Sequence, residues 1–305
     1  MSKMKELPLS LIILLSSVSG NLACPFCGCG NSNFQVGLLP TYSNAFVGAR
    51  YTYTHFNTLS HDGSQYSHDY FHTTELWGGY KIGRVQVMGF VPYVTSHKSS
   101  DDGIINKSGI GDVLILANYQ VFSITNSDTN NKKAYNSLWL GAGIKLRTGQ
   151  SQVDVSDPDF TVGDFSSTPG TGSMDYLLNA THNLLVGNNG IVTNIAYRIN
   201  TANAQQFQYG NRIYVNSAYF HSLPIGQLVI RPSLGLNLIV NDTNHYQSQE
   251  VADSHGYVLS GTAGINLQRG LIGMMANGFL PVSQNLFDGQ TQFRQRASVA
   301  LTFSF

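Results

Sequence analysis

The chain has 305 residues, and its 17 lysines and arginines balance 17 aspartates and glutamates to a formal net charge of zero. Only 11% of the residues are charged, where a soluble domain carries roughly 25%. This excludes an electrostatic footprint for nucleic acid. A hydrophobic fraction of 42% also excludes a helical membrane protein, which needs several runs of about 20 apolar residues.

Met1–Lys5 carries Lys3 and Lys5, Leu7–Val18 is apolar, and Ser16, Ser17 and Ser19 lead to Gly20. A charged start, short apolar run and small-residue exit read as an export signal over 1–20, cleaved after Gly20. The run is too short for a comfortable membrane span, so an anchor helix is the weaker alternative. Asn21-Leu22-Ala23-Cys24 also ends as a bacterial lipoprotein cleavage site does, with Asn21 where an aliphatic residue is usual. Cleavage before Cys24 with lipidation of that cysteine is therefore a second processing reading.

All three cysteines, Cys24, Cys27 and Cys29, fall in the run CPFCGCG. In an oxidising compartment they form a local disulfide with one thiol left over. The alternative is a soft-metal site for copper or zinc at Cys24, Cys27 and Cys29. No partner CxxC completes a four-sulfur zinc site, and no CxxCH attaches haem. Residues 21–41 thus form a cysteine-bearing head, expected in the periplasm and able to plug or gate a lumen built from the rest of the chain.

From residue 42 onward no helical period persists. Strict alternation recurs instead. Ala45, Val47, Ala49, Tyr51 and Tyr53 oppose Gly48, Arg50, Thr52 and Thr54. Val113, Ile115, Ala117, Tyr119 and Val121 oppose Asp112, Asn118 and Gln120; Leu138, Leu140, Ala142, Ile144 and Leu146 oppose Gly141, Gly143, Lys145 and Arg147. Ile191, Ile195, Tyr197 and Ile199 oppose Asn194, Arg198 and Asn200, and Leu234, Leu236, Leu238 and Val240 oppose Arg231, Ser233 and Asn237. Such a strand has one apolar and one polar face.

About twelve segments follow this pattern, near 45–56, 70–80, 85–97, 110–122, 137–148, 174–186, 190–201, 211–222, 227–240, 255–267, 270–281 and 291–305. Those at 70–80, 211–222 and 270–281 alternate poorly. Soluble strands average about five or six residues, whereas membrane-spanning barrel strands need about 9–11. A lipid-exposed sheet must also close on itself. The fold class expected is all-β, a transmembrane antiparallel β-barrel of about 12 strands (range 10–14) over residues 42–305. A two-layer sandwich is the soluble alternative. Tyr51, Tyr53, Tyr80, Tyr93, Tyr119, Tyr197 and Tyr219 lie toward segment ends, where aromatic girdles sit. The last segment alternates from Ala297 to a terminal Phe305 and resembles the sorting signal of outer-membrane proteins.

With the amino terminus periplasmic, the outer connections are 57–69, 98–109, 149–173, 202–210, 241–254 and 282–290. Those at 81–84, 187–189 and 268–269 are tight inner turns, and 123–136 is a polar turn too long for the rule. The outer set is acidic, with Asp62, Asp69, Asp101, Asp102, Asp154, Asp157, Asp159, Asp164, Asp242, Glu250, Asp253 and Asp288 against Lys98 and Lys107.

His55, His61, His68 and His72 with Asp62 and Asp69, and His245 with Glu250, Asp253 and His255, could ligate a transition metal. Solvated loop residues are the favoured reading. Thr181-His182-Asn183 and His221-Ser222 lack the surroundings of a barrel phospholipase motif, and no GxSxG, HExxH or phosphate loop occurs. No enzyme is expected. The polar phase carries Arg50, Lys145, Arg147, Arg198, Arg231, Arg294 and Arg296 against Glu75, Asp112 and Asp175. These are candidate lumen residues, forming either a ladder of filling ion pairs or a field that favours anions.

Gly109-Ile110-Gly111-Asp112, before Ala117-Asn118-Tyr119, resembles the GxGD…Y element of a barrel family. Pro169-Gly170-Thr171-Gly172-Ser173-Met174-Asp175-Tyr176 resembles its second element, and Pro281-Val282-Ser283-Gln284-Asn285 its C-terminal section. The family is the outer-membrane transporters of the MetA pathway of phenol degradation, related to the fatty-acid channel class. The resemblance covers roughly residues 38–305 and implies uptake of small, often aromatic or hydrophobic, molecules; the cysteine head is outside its pattern. The expected function is a passive channel for small solutes through a polar lumen, possible cargo being hydrophobic, aromatic or anionic. A metal-handling or redox-linked barrel and a structural barrel without transport are the rivals. Expected partners are outer-membrane lipids, the barrel assembly machinery acting on the Phe305 strand, and the solute.

Overall fold

The computed structural model describes residues 45–59, 66–100, 103–127, 133–157, 160 and 162–305. The export signal and the cysteine head lie outside the described residues. The strands are β1 (Ala45–Leu59), β2 (Tyr66–Ile82), β3 (Val85–Ser100), β4 (Gly103–Ile110), β5 (Leu114–Ser127), β6 (Lys133–Lys145), β7 (Asp175–Val186), β8 (Asn189–Ile199), β9 (Phe207–Gln208), β10 (Arg212–His221), β11 (Leu223–Ile225), β12 (Leu228–Asn241), β13 (His245–Tyr246), β14 (Gln249–Glu250), β15 (Gly256–Arg269), β16 (Ile272–Leu286) and β17 (Thr291–Ser304).

Twelve of them close into one antiparallel barrel, ordered β10-β8-β7-β6-β5-β3-β2-β1-β17-β16-β15-β12, with β12 returning to β10. All the expected segments are barrel strands. The seam between β1 and β17 is held at one end by Phe305 N–H donating to the Ala45 carbonyl at 2.9 Å and Ala45 N–H donating to the Phe305 carbonyl at 3.3 Å. Closure leaves no unpaired barrel edge, as hydrocarbon requires.

Burial alternates along each strand. In β17 the exposed Val299, Leu301 and Phe303 face out while Ser298, Ala300, Thr302 and Ser304 are buried within. Leu76, Leu140, Leu178, Ile195 and Leu234 continue the outer apolar band. Exposed Tyr80, Tyr119 and Tyr219 ring its short-turn end, and Tyr93, Tyr176, Tyr197 and Tyr257 its long-loop end. These belts fit aromatic girdles at lipid–water boundaries.

The interior is not polar throughout, contrary to the alternation rule. Phe46, Trp77, Met88, Phe90, Leu114, Leu116 and Leu177 are buried together inside, with Phe56, Phe71, Phe279, Phe287 and Phe293 in the same apolar cluster. A barrel of this size fills its cavity largely with side chains, so inward positions accept any group that packs. This also explains the weak alternation of 70–80 and 211–222. The inward row of β2 runs Ser67, Asp69, Phe71, Glu75, Trp77, and that of β10 runs Arg212, Tyr214, Phe220.

The hairpins are longer than the sequence pattern suggests. The turn expected over 123–136 is mostly ladder, because β5 runs to Ser127 and β6 starts at Lys133. The 98–109 connection is largely a β3–β4 hairpin. Asp69, expected in a loop, is buried in β2 and accepts the Thr58 hydroxyl at 2.9 Å.

The remaining long connections pack on one another at one end. A short 3-10 helix, Val162–Ser167, brings Phe165 against Phe207 with ring centroids 4.5 Å apart. Val153, Tyr209 and Tyr246 join them, and β9, β13 and β14 form a small sheet there. In the first of these connections Asp154 accepts the Ser156 hydroxyl and N–H at 2.6 and 3.0 Å, which holds its carboxyl below the usual carboxylate range.

Candidate functional site

The inward-facing charges fall into two groups. The first begins at Pro92 in β3. Proline has no N–H to donate, so the ladder opposite it cannot continue. There the partner strand breaks between Ile110 and Leu114, and Gly111 N–H donates to the Pro92 carbonyl at 2.8 Å. The break turns Asp112 inward. Its carboxylate accepts Thr171 N–H and hydroxyl, each at 2.7 Å, and Gly149 N–H at 2.9 Å. Lys145 completes the node, 2.7 Å from Asp112 and 3.0 Å from Asp175, and also bonds the Thr171 hydroxyl and the Ser173 carbonyl. Asp175 in turn accepts Thr201 N–H at 3.0 Å.

Two glycines make this approach possible. A Cβ on Gly149 would stand 2.8 Å from the Gly170 Cα and 2.9 Å from the Asp112 nitrogen, and one on Gly170 would stand 2.7 Å from the Gly149 Cα. The two motif elements at 109–112 and 169–176 therefore form one structure. It ties the 146–174 connection into the barrel mouth.

The second group spans the interior. Arg50 of β1 pairs with Glu75 of β2. Arg296 of β17, on the same side, is within electrostatic reach of Arg50, Arg212 and Tyr214. Arg198 of β8 and Arg212 of β10 come from the opposite wall, paired directly across the ladder. Each places its guanidinium carbon 5.9 Å from the Tyr214 ring centre, and Arg212 donates to the Tyr214 hydroxyl at 3.1 Å. All these side chains are buried. Guanidinium groups from facing walls therefore converge on one tyrosine.

Arg50, Glu75, Asp112, Lys145, Asp175, Arg198 and Arg296 all lie inside, as the polar phase places them. Arg231 is half-buried and donates to Asn266 at 3.2 Å. Two candidates are corrected. Arg147 lies past the end of β6 and is exposed. Arg294 is exposed because the register shifts between His55 and Phe56 as they pair with Gln295 and Phe293. That bulge leaves Arg294 as the extra residue and turns it away from the phase of Arg296. Sequence reasoning misses Arg212, Tyr214 and the phenylalanine wall, since the mixed inward rows hide them.

Cys24, Cys27 and Cys29, with the lipidation and metal readings, lie outside the described residues, as do His61 and Asp62. Among the described residues no group of three or more His, Cys, Asp or Glu is arranged to hold a metal. His55, His68 and His72 take the outward phase of their strands and Asp69 the inward one, so the ladder separates them. His182 and His221 also face outward, bonded to Asn136 at 2.8 Å and Asn189 at 2.9 Å.

No protein-family model matches the chain, and no curated protein matches it by sequence. Its fold is similar to that of an outer-membrane channel from Pseudomonas putida F1, at 12% identity and a TM-score of 0.61, over 86% of this chain and 96% of that one. It is also similar to the β domain of the Bordetella autotransporter BrkA, at 9% identity and a TM-score of 0.52, over 86% of this chain and all of that domain, 100%. At such identities the likeness establishes the fold, an outer-membrane type of β-barrel.

Proposed function

We propose that this protein is an outer-membrane channel or transporter for the passive passage of small solutes, with a lumen that favours anions. One observation carries the reading. Arg198, Arg212 and Arg296 converge from facing walls around Tyr214, while Arg50 beside Arg296 is neutralised by Glu75. A cluster of guanidinium groups in a low-dielectric interior attracts anions and repels cations, as charged groups lining other pores do. The side chains are packed in this conformation, so a solute crosses as they and the capping loops move aside. The two joined motif elements support membership of the phenol-degradation transporter family, and the buried aromatic wall suits aromatic or hydrophobic cargo. In this reading lipids cover the apolar band, the assembly machinery engages the Phe305 strand, and the short turns and amino terminus face the periplasm.

Planar-bilayer recording with the purified, folded protein tests the proposal. Under a potassium chloride gradient, the reversal potential is expected on the chloride side. Absence of conductance from a demonstrably folded barrel would defeat the channel, and cation preference would defeat the assigned role of the arginines.

A further inference from the structure

We propose that Arg296 anchors a binding position for an aromatic carboxylate inside the barrel, with the ligand's ring held by the Phe279, Phe293 and Phe56 wall. The proposal deepens the channel reading by naming its solute class, and rests on it for biological use.

Arg296 is 5% exposed, and its Nε has no hydrogen-bond partner within the protein. A buried donor left unmatched is costly and calls for an acceptor. A carboxylate suits it, because the planar guanidinium fork presents paired donors to its two oxygens. The surroundings then select what the carboxylate is attached to. The guanidinium carbon sits 5.9 Å from the Phe279 ring centre and 5.6 Å from that of Phe293. Phe56 lies 5.4 Å from Phe293 and 6.3 Å from Phe71, extending the ring wall along the interior. Aromatic rings prefer tilted or offset neighbours at such spacings. Across the interior, the Tyr214 hydroxyl and Arg212 add a donor and further positive charge. A ligand with one negative end and one flat apolar end meets both needs. Acetate satisfies only the charge, and benzyl alcohol only the wall.

The test is isothermal titration calorimetry on the full mature chain in detergent micelles, with folding verified by heat-modifiable gel migration. Benzoate is expected to bind at least about tenfold more tightly than acetate or benzyl alcohol, a margin of one good contact. Arg296→Gln is expected to abolish this preference, while Arg296→Lys and Phe293→Leu weaken benzoate by roughly tenfold. Exposed Arg294→Gln leaves it unchanged. Should Arg296→Gln fail to fold, the lysine and leucine variants decide. Equal binding of benzoate and acetate, no saturable binding by the folded wild type, or binding indifferent to residue 296 would overturn the proposal. Bilayer recording separates the two readings. A nonconducting barrel that binds benzoate through Arg296 defeats the channel alone, and a conducting one that ignores benzoate defeats the site alone.

Discussion

Asp112 accepts the backbone N–H of Thr171 at 2.7 Å although 59 positions separate them in the chain. That bond, with the Lys145 ion pair, fixes the 146–174 connection to the barrel wall. Asp112→Asn leaves Lys145 paired with Asp175 but removes the charged acceptor of the Thr171 and Gly149 N–H groups. A hydrogen bond to a charged group is worth about 1.5–3 kcal/mol. Asp112→Asn should therefore lower the urea midpoint of the folded barrel. It should also release the connection, read as new cleavage within residues 146–174 under limited proteolysis. A variant as stable and protease-resistant as wild type would show that the node is not what holds the connection.

Arg212 and Arg198 face each other across β10 and β8, so their charges act on the same stretch of lumen. Arg212→Gln should reduce the chloride-to-potassium permeability ratio by roughly twofold or more, since charged lining groups set pore selectivity. Arg198→Glu together with Arg212→Glu should move the reversal potential to the cation side. The exposed Arg294 is the control, and Arg294→Glu should leave the reversal potential within error.

Much of the architecture is legible in the residue pattern because lipid imposes a strict rule on one face. Leu, Ile, Val and Tyr must occupy the outward phase, and the alternation in β8 and β17 follows from that. The inner face obeys packing instead. Phe56, Trp77, Met88 and Phe293 fill space inside, and this mixture hides Arg212 and Tyr214 within a weakly alternating segment. Register irregularities are also invisible to a period-two reading. Arg294 and Arg296 share a phase in the sequence, and one bulge places them on opposite faces. The Asp112 to Thr171 link is foreshadowed only by two glycine-rich motifs whose meeting depends on Gly149 and Gly170.

Leu76 is 60% exposed in the outer apolar band, while its chain neighbour Glu75 is buried inside against Arg50. If that outer face is in lipid, Leu76→Arg should destabilise the barrel in phospholipid vesicles by about 2–4 kcal/mol, the range for arginine near a bilayer midplane. Thr74→Arg, on the same face and nearer the tyrosine belt of the long-loop end, should cost less. Equal costs for both would argue against a depth-dependent lipid environment.

Phe305 closes the barrel by bonding its backbone to Ala45 in both directions, at 2.9 and 3.3 Å. Its exposed ring lies 6.1 Å from Phe303 at the short-turn end of the band. Deleting Phe305 removes both hydrogen bonds and one member of that aromatic pair. Each net hydrogen bond is worth about 0.5–1.5 kcal/mol, so the isolated deletion variant should still refold in detergent with a modestly lower midpoint. Assembly in cells should suffer more, because the terminal aromatic strand is what the assembly machinery is proposed to grip. The expected result is a several-fold drop in heat-modifiable protein recovered from outer membranes, alongside near-normal refolding of purified chain. Equal loss in both settings would mean that Phe305 acts through seam stability alone, and no loss in either would remove it from assembly altogether.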